Sequence, residues 1–248
     1  MSNRTLLYGE GLFETILWKG RTPKLRRHYD RLRSSASYLR IPCPDYDDFL
    51  GLIEAKAGQR KGIYLKFCLL SHGDGTFYSL PSAYRPLIVT KRLPKTGADV
   101  TLAVSHLRRH SLDPLCRHKT MNYTFSILVK REALSQGYTD AMVLNERNEV
   151  TECSSSNILL LSGETLLTPA VECGLLKGTT LQVLTDRFAV REDHLTVRDV
   201  VNADALFVTN SIAGILPVRK VLDRPLDIPE TMLSAMMRTL ESENRAQE

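Results

Sequence analysis

Strand-like and helix-like stretches alternate along both halves of this chain, and a polar stretch carrying a proline and a glycine divides the halves. In the first half, Leu12–Trp18, Ile63–Leu70 and Pro86–Thr90 read as strands. Apolar residues recur there at helical spacing over Leu25–Leu39 and Tyr46–Ala57. Pro94-Lys95-Thr96-Gly97-Ala98-Asp99 reads as an interdomain linker. In the second half, Val100–Leu107 reads as a strand and Thr124–Gln136 as a helix that stops at Gly137. Short strands follow at Asp140–Leu144, Glu149–Thr151, Asn157–Leu161 and Leu166–Leu167. A helix over Leu181–Phe188 is led in by Gly178-Thr179-Thr180. Val197–Val201, Ala205–Thr209 and Ile215–Val221 read as closing strands or a short helix between strands, and Pro229–Asn244 as a C-terminal helix. This order predicts a two-domain α+β or α/β protein. The expected boundaries are a smaller N-terminal α/β domain over 1–93, a linker over 94–99 and a larger domain over 100–248.

The rest of the composition narrows the class. At 248 residues the chain is long enough to bury a core without disulfides or a metal. Cys43, Cys68, Cys116, Cys153 and Cys173 are odd in number and form no C-x-x-C, so free thiols in a reducing compartment are expected and no zinc site. No uninterrupted apolar run exceeds four residues, of which Ile158–Leu161 is one, whereas a spanning helix needs about 20. The start of the chain lacks the long apolar stretch of a secretory signal, so a cytoplasmic protein without membrane contact is expected. The net charge of +5 favours an anionic small molecule as much as a nucleic acid. The basic cluster from Arg21 to Arg33 lacks the glycine and aromatic interleaving of RNA-binding segments and reads as a solvated helix face, so no nucleic-acid partner is expected.

Four features carry possible chemistry. Lys119 stands beside Arg117 and His118, cations that would depress its pKa toward the neutral amine that a Schiff base or a general base requires. Against this, most of the 33 basic residues of such a chain are plain surface charges. In Thr151-Glu152-Cys153-Ser154-Ser155-Ser156-Asn157, Glu152 offers a carboxylate against predicted strands, although serines and asparagine alone describe a polar turn. Leu175-Leu176-Lys177-Gly178-Thr179-Thr180 opens a helix with backbone N–H groups and hydroxyls suited to a phosphate, or else forms a plain cap at Thr179. His28, Arg31 and Leu32 share a helix face, where the arginine could clamp a phosphate or form a structural ion pair. One activated lysine, one carboxylate and two phosphate-binding elements are together what pyridoxal 5′-phosphate demands.

At these residues the sequence resembles the class IV family of pyridoxal-phosphate enzymes. The resemblance runs in order through Tyr8-Gly9-Glu10-Gly11-Leu12-Phe13-Glu14-Thr15, His28-x-x-Arg31-Leu32 and Lys119-x-x-Asn122-Tyr123. It continues through Thr151-Glu152-x-Ser154-x-Ser156-Asn157, Gly178-x-Thr180 and Thr209-Asn210-Ser211-x-x-Gly214-x-x-Pro217-Val218. It implies the two-domain fold of D-amino-acid aminotransferase-like enzymes, a pyridoxal-phosphate cofactor and a homodimer in which a neighbour's loop completes the substrate site. It implies that Lys119 condenses with the cofactor aldehyde and later moves the proton. Glu152 would pair with the ring nitrogen. Arg31, Gly178, Thr179, Thr180 and Ser211 would hold the phosphate, Tyr123 the ring hydroxyl, and Asn157 would support the pocket.

Within the family, Phe13-Glu14-Thr15, the compact length and His118-Lys119-Thr120-x-Asn122-Tyr123 look most like aminodeoxychorismate lyase. Members of that group convert 4-amino-4-deoxychorismate to 4-aminobenzoate and pyruvate, towards folate. The alternative is a class IV transaminase that moves an amino group between an amino acid or amine and an α-keto acid. Two departures stand out. Many lyases carry Arg-Gly where this chain reads His72-Gly73, so His72 or Arg108 is expected to bind substrate carboxylates, with Ile212 and Ala213 nearby. The chain also reaches its Tyr8-Gly9 motif without the usual preceding strand hairpin, which predicts an altered N-terminal sheet edge.

Overall fold

Alternate residues of the first predicted strand, Leu12, Ile16 and Trp18, are large and apolar with Glu14 the exception, and that alternation decides where the strand packs. In the computed structural model, which describes residues 1–94 and 99–246, the chain folds as two compact units. The first comprises residues 1–94, 118–123 and 243–246; the second comprises 99–117 and 124–242. Residues 118–123, which carry Lys119, therefore pack with the N-terminal unit rather than with the stretch 100–248 to which the sequence assigned them. Of the expected linker, residues 95–98 lie outside the described residues.

In the first unit the chain runs β1 (Ser2–Asn3), α1 (Arg4–Tyr8), β2 (Gly11–Trp18), α2 (Pro23–Tyr38), α3 (Tyr46–Ala57), β3 (Ile63–Gly73) and β4 (Pro81–Arg92). β4 pairs antiparallel along the whole of β3, and β2 pairs with the opposite edge from Ile63 to Leu70. β1 continues that second edge, with Ser2 opposite Gly73 and Asn3 opposite His72. Leu12, Ile16 and Trp18 point to one face, beside Leu65, Phe67 and Leu69 of β3, and helices α2 and α3 close the core over them. Each such side chain contributes roughly 1.5–3 kcal/mol when fully buried.

Glu14 stands in the same row and is fully buried. A carboxylate there is tolerable only if paired and hydrogen-bonded. Helix α2 provides the partners through a second buried stripe at helical spacing: Lys24, His28, Arg31 and Ser35. Arg31 donates to both carboxylate oxygens, Nε to Oε1 at 2.8 Å and Nη2 to Oε2 at 2.6 Å. His28 Nδ1 lies 2.6 Å from Oε2. Burial alone would raise the Glu14 carboxyl, but Arg31 and His28 together outweigh it and hold the pKa down at about 2. Burial pushes the His28 imidazole down to about 4, against the raising pull of Glu14. Burial also lowers Lys24 to about 7, helped by the neighbouring Arg31 and Lys19.

The second unit runs β5 (Val100–Arg108), α4 (Thr124–Ser135), β6 (Asp140–Leu144), β7 (Val150–Cys153), β8 (Asn157–Ser162), β9 (Thr165–Pro169), α5 (Thr179–Arg187), β10 (Val190–Asp193), α6 (Val197–Asn202), β11 (Ala205–Asn210), β12 (Gly214–Val221), β13 (Arg224–Pro225) and α7 (Glu230–Glu243). Its mixed sheet has the order β10-β9-β8-β11-β12-β5-β6-β7, with β13 on β12. Strand β8 shows why the apolar run at Ile158–Leu161 is continuous. Ile158 and Leu160 enter one core, with Leu206, Val208 and Val218. Leu159 enters another on the opposite face, against Leu181 and Leu184 of α5 and Met236 of α7. A strand covered on both faces needs no polar alternation.

The stretch left open between strand and helix is α6. Thr196 accepts the Asp199 N–H at 3.3 Å, and the Asp199 carboxylate accepts the Thr196 N–H at 2.8 Å, a reciprocal cap. Strand β10, which the sequence did not reveal, is a polar edge strand whose only apolar residue is Val190. No helix among the described residues is long and apolar enough to cross a membrane.

The Glu14 network makes stability depend on acidity. Folding depresses both groups, so the unfolded chain binds more protons and acid favours unfolding. His28 loses its contribution as pH falls from about 6.5 to about 4, and Glu14 loses its contribution from about 4.5 to about 2. Urea unfolding of the wild type is expected to show midpoints that fall continuously below pH 6.5. Glu14→Gln should cost about 3–5 kcal/mol at pH 7, because it strands a buried guanidinium. An unchanged midpoint in Glu14→Gln would show that the network carries no stability.

Candidate active site

Lys119 is held by backbone pairing to the outer edge of β2. Phe13 N–H donates to Lys119 C=O at 3.0 Å, Met121 N–H donates to Gly11 C=O at 2.8 Å, and Leu12 bridges Thr120 antiparallel. Gly11 permits this approach: a Cβ there would lie 2.6 Å from Thr5 Oγ1 and 3.0 Å from the Met121 side chain. The Lys119 Nζ sits 4.5 Å from the Phe13 ring centre and 5.4 Å from that of Tyr123. Tyr123 meets Phe13 edge-on, with centroids 5.1 Å apart. The side chain is half-buried.

The neighbouring cation is not the expected one. Extended backbone sends adjacent side chains to opposite sides. His118 turns away, its Nδ1 3.0 Å from Ser35 Oγ and its ring stacked on Tyr38, while Arg117 is exposed. Instead Lys66 of β3 places its Nζ 4.2 Å from the same Phe13 ring. Lys66 was readable as the one charged residue within the apolar run Ile63–Leu70. Arg31 gives its fork to Glu14, as described above, and its partner was not assigned from sequence. His72 is a buried residue of β3.

In the second unit, Glu152 lies on β7 and is largely buried. Its Oε1 is 3.6 Å from Arg109 Nη2, and the Arg109 guanidinium rests 4.6 Å over the Phe125 ring. The sequence singled out Arg108, whose Nη1 instead donates to the Asn145 carbonyl at 3.1 Å. Arg109, the residue after β5, cannot be told from its neighbour Arg108 by sequence alone.

Asn157, at the start of β8, clamps the segment that leads into α5. Its Oδ1 accepts the Gly178 N–H at 2.9 Å and its Nδ2 donates to Leu176 C=O at 2.7 Å. Any Cβ at position 178 would meet Asn157 Oδ1 at 2.3 Å, so only glycine fits. Gly178 caps α5 without a side-chain hydrogen bond. Thr179 Oγ1 lies 3.2 Å from Ser211 Oγ, and Thr180 Oγ1 donates to Asn210 C=O at 2.9 Å. Asn210 Oδ1 in turn accepts the N–H groups of Ile212 at 3.0 Å and Ala213 at 2.8 Å. Thr209, paired with Asn157 in the sheet, keeps its buried hydroxyl oxygen without a hydrogen-bond partner.

These groups can bind an anion. The N-terminus of α5 carries partial positive charge, and two hydroxyls stand together beside it. Within the second unit they fit a phosphate group, with Glu152 as a buried carboxylate of the same unit.

The chain matches the family model described as Amino-transferase class IV over residues 11–221. It belongs to the class IV aminotransferases. Enzymes of this family depend on pyridoxal phosphate and include transaminases and lyases. A Methanocaldococcus jannaschii protein provisionally named a branched-chain-amino-acid aminotransferase is 30% identical over 90% of this chain and 82% of its own length. The aminodeoxychorismate lyase of Vibrio harveyi is 25% identical over 92% of this chain and 90% of its own. A crystal structure of a Legionella pneumophila protein, provisionally named 4-amino-4-deoxychorismate lyase, superposes with a TM-score of 0.90. That match has 27% identity and covers 98% of this chain and 94% of the other.

The Asn157 clamp is testable apart from catalysis. Asn157→Ala leaves two backbone groups without their partner and should cost about 1–3 kcal/mol, read as a lower urea midpoint at constant slope. Gly178→Ala should destabilise by a comparable amount, since it drives a methyl into the same amide oxygen. Wild-type midpoints in both variants would show that this segment is not held by Asn157.

Proposed function

We propose that this class IV enzyme is a pyridoxal-phosphate-dependent aminodeoxychorismate lyase. The observation that carries the reading is end-to-end likeness to the Legionella protein, 98% of one chain on 94% of the other. The Vibrio harveyi lyase is also matched over nearly its full length. The transaminase reading rests on the 30% identity to the Methanocaldococcus jannaschii protein, whose length exceeds the matched part more.

Bound at Lys119, the cofactor supplies an electron sink for the carbon that carries the substrate amine. The protein's own groups do the rest. Lys119 Nζ would hold the cofactor and would take the proton from that carbon. The Glu152 carboxylate would pair with the ring nitrogen, its charge favouring the cationic form. Thr179, Thr180, Ser211 and the α5 N-terminus would bind the phosphate, with Arg31 contributing charge. Tyr123 would hydrogen-bond the ring hydroxyl, and Asn157 fixes Gly178 at the N-terminus of α5. His72, Arg108, Ile212 and Ala213 are the candidate contacts to a small anionic substrate. The enzyme acts as a cytoplasmic homodimer in this reading.

Purified enzyme given 4-amino-4-deoxychorismate and no keto acid should release pyruvate and 4-aminobenzoate. Turnover that requires a keto-acid acceptor would replace the lyase reading with the transaminase. Lys119→Ala should lose the visible band that borohydride bleaches, together with nearly all turnover. Glu152→Gln should retain the cofactor and slow proton abstraction; an unchanged rate would assign ring-nitrogen support to another group.

A further inference from the structure

Three side chains that the proposed chemistry leaves unused converge in the second unit. Glu149 immediately precedes β7, Cys173 closes the short 3-10 turn Val171–Cys173 after β9, and His194 follows β10. His194 Nδ1 lies 2.9 Å from Glu149 Oε1 and 3.6 Å from Cys173 Sγ. All three donor atoms fall within 4.8 Å of one another. Backbone bonds fix the three segments: Val150 N–H to Leu195 C=O at 2.7 Å, Ala170 N–H to Asp193 C=O at 2.9 Å and Cys173 N–H to Ala170 C=O at 2.9 Å.

The arrangement is not a nucleophile–base–acid relay. In a relay the acid and the nucleophile bond opposite ring nitrogens. Here both face Nδ1, which carries at most one proton. The three atoms point at a common centre instead. A tetrahedral zinc ion with bonds of about 2.3 Å to sulfur and about 2.0–2.1 Å to nitrogen sets those atoms about 3.6 Å apart. That is the observed Cys173–His194 separation. The same geometry needs slightly more than the 2.9 Å seen between His194 and Glu149, a change that the half-exposed imidazole can make by rotating. Outer partners already orient the carboxylate. Asn145 Nδ2 donates to Glu149 Oε2 at 2.6 Å and to Cys173 C=O at 3.1 Å. Arg147 holds the same Oε2 through Nε at 3.0 Å and Nη2 at 2.7 Å, which leaves Oε1 for the centre.

We infer that Glu149, Cys173 and His194 bind one thiophilic divalent cation of the zinc class, with water in the fourth position on the exposed side of His194. Thiolate, imidazole and carboxylate together select such an ion over magnesium or calcium. Coordination releases the thiol proton to solvent. The ion would tie three separated segments, one of which runs from Cys173 directly into the Gly178–Thr180 phosphate element.

Cobalt(II) is the probe. Titrated into the intact protein, it should saturate at one equivalent and give tetrahedral ligand-field bands in the red, clear of cofactor absorption, with a thiolate charge-transfer band. Zinc should displace it and raise the melting temperature. His194→Ala, at an exposed position, should weaken cobalt binding by about tenfold or more. Cys173→Ser should lose the charge-transfer band; because Cys173 is buried, Glu149→Gln serves as a second variant and should weaken binding as His194→Ala does. Absence of saturable binding, or unchanged affinity in both His194→Ala and Glu149→Gln, would overturn the site.

Discussion

A single carboxylate buried between β2 and α2 sets the geometry of the first unit. Glu14 occupies a position that the alternation of β2 reserves for large apolar side chains. It is held there because Arg31 and His28 reach it from one face of α2. An ion pair of this kind contributes little net stability against an apolar alternative, yet breaking it is costly. Its effect is to fix helix and strand in one register. The preceding residue of β2, Phe13, points to the opposite face and carries the Lys119 and Lys66 ammonium groups over its ring. The strand thus links the buried charge network on one face to the Lys119 side chain on the other.

In the second unit amide side chains do the equivalent work. Asn157 satisfies one donor and one acceptor of the chain leading into α5, and Asn210 satisfies two donors of the turn after β11. Each replaces the backbone pairing that irregular segments lack. The N-terminal end of α5 is therefore assembled by short polar side chains anchored beside strand β8, which is covered on both faces.

Much of this was legible in the sequence, because periodicity reports burial. The strands over Leu12–Trp18 and Asn157–Leu161 and the helices from α2 to α5 announce themselves by spacing. The family motifs mark Lys119, Glu152 and Gly178–Thr180. Pairings that depend on register were hidden. Nothing in the order of residues tells that Lys66 would share a ring with Lys119, or that Arg109 rather than Arg108 would approach Glu152. The same holds for Glu149, Cys173 and His194, whose separation resembles no zinc spacing. The sequence leaves Arg31 as either a phosphate clamp or a structural ion pair; the ion pair forms, but its Glu14 partner lies too far along the chain to be seen.

The excursion of residues 118–123 onto the edge of β2 has a practical consequence for dissecting the molecule. Neither unit corresponds to one uninterrupted length of polypeptide. A fragment cut after residue 94 would lack its outermost extended segment, leaving the Phe13 N–H and the Gly11 C=O of that margin without their mates. Such a bare margin invites intermolecular pairing. Fragment designs must therefore graft the Lys119 hexapeptide back beside β2, or keep the chain whole.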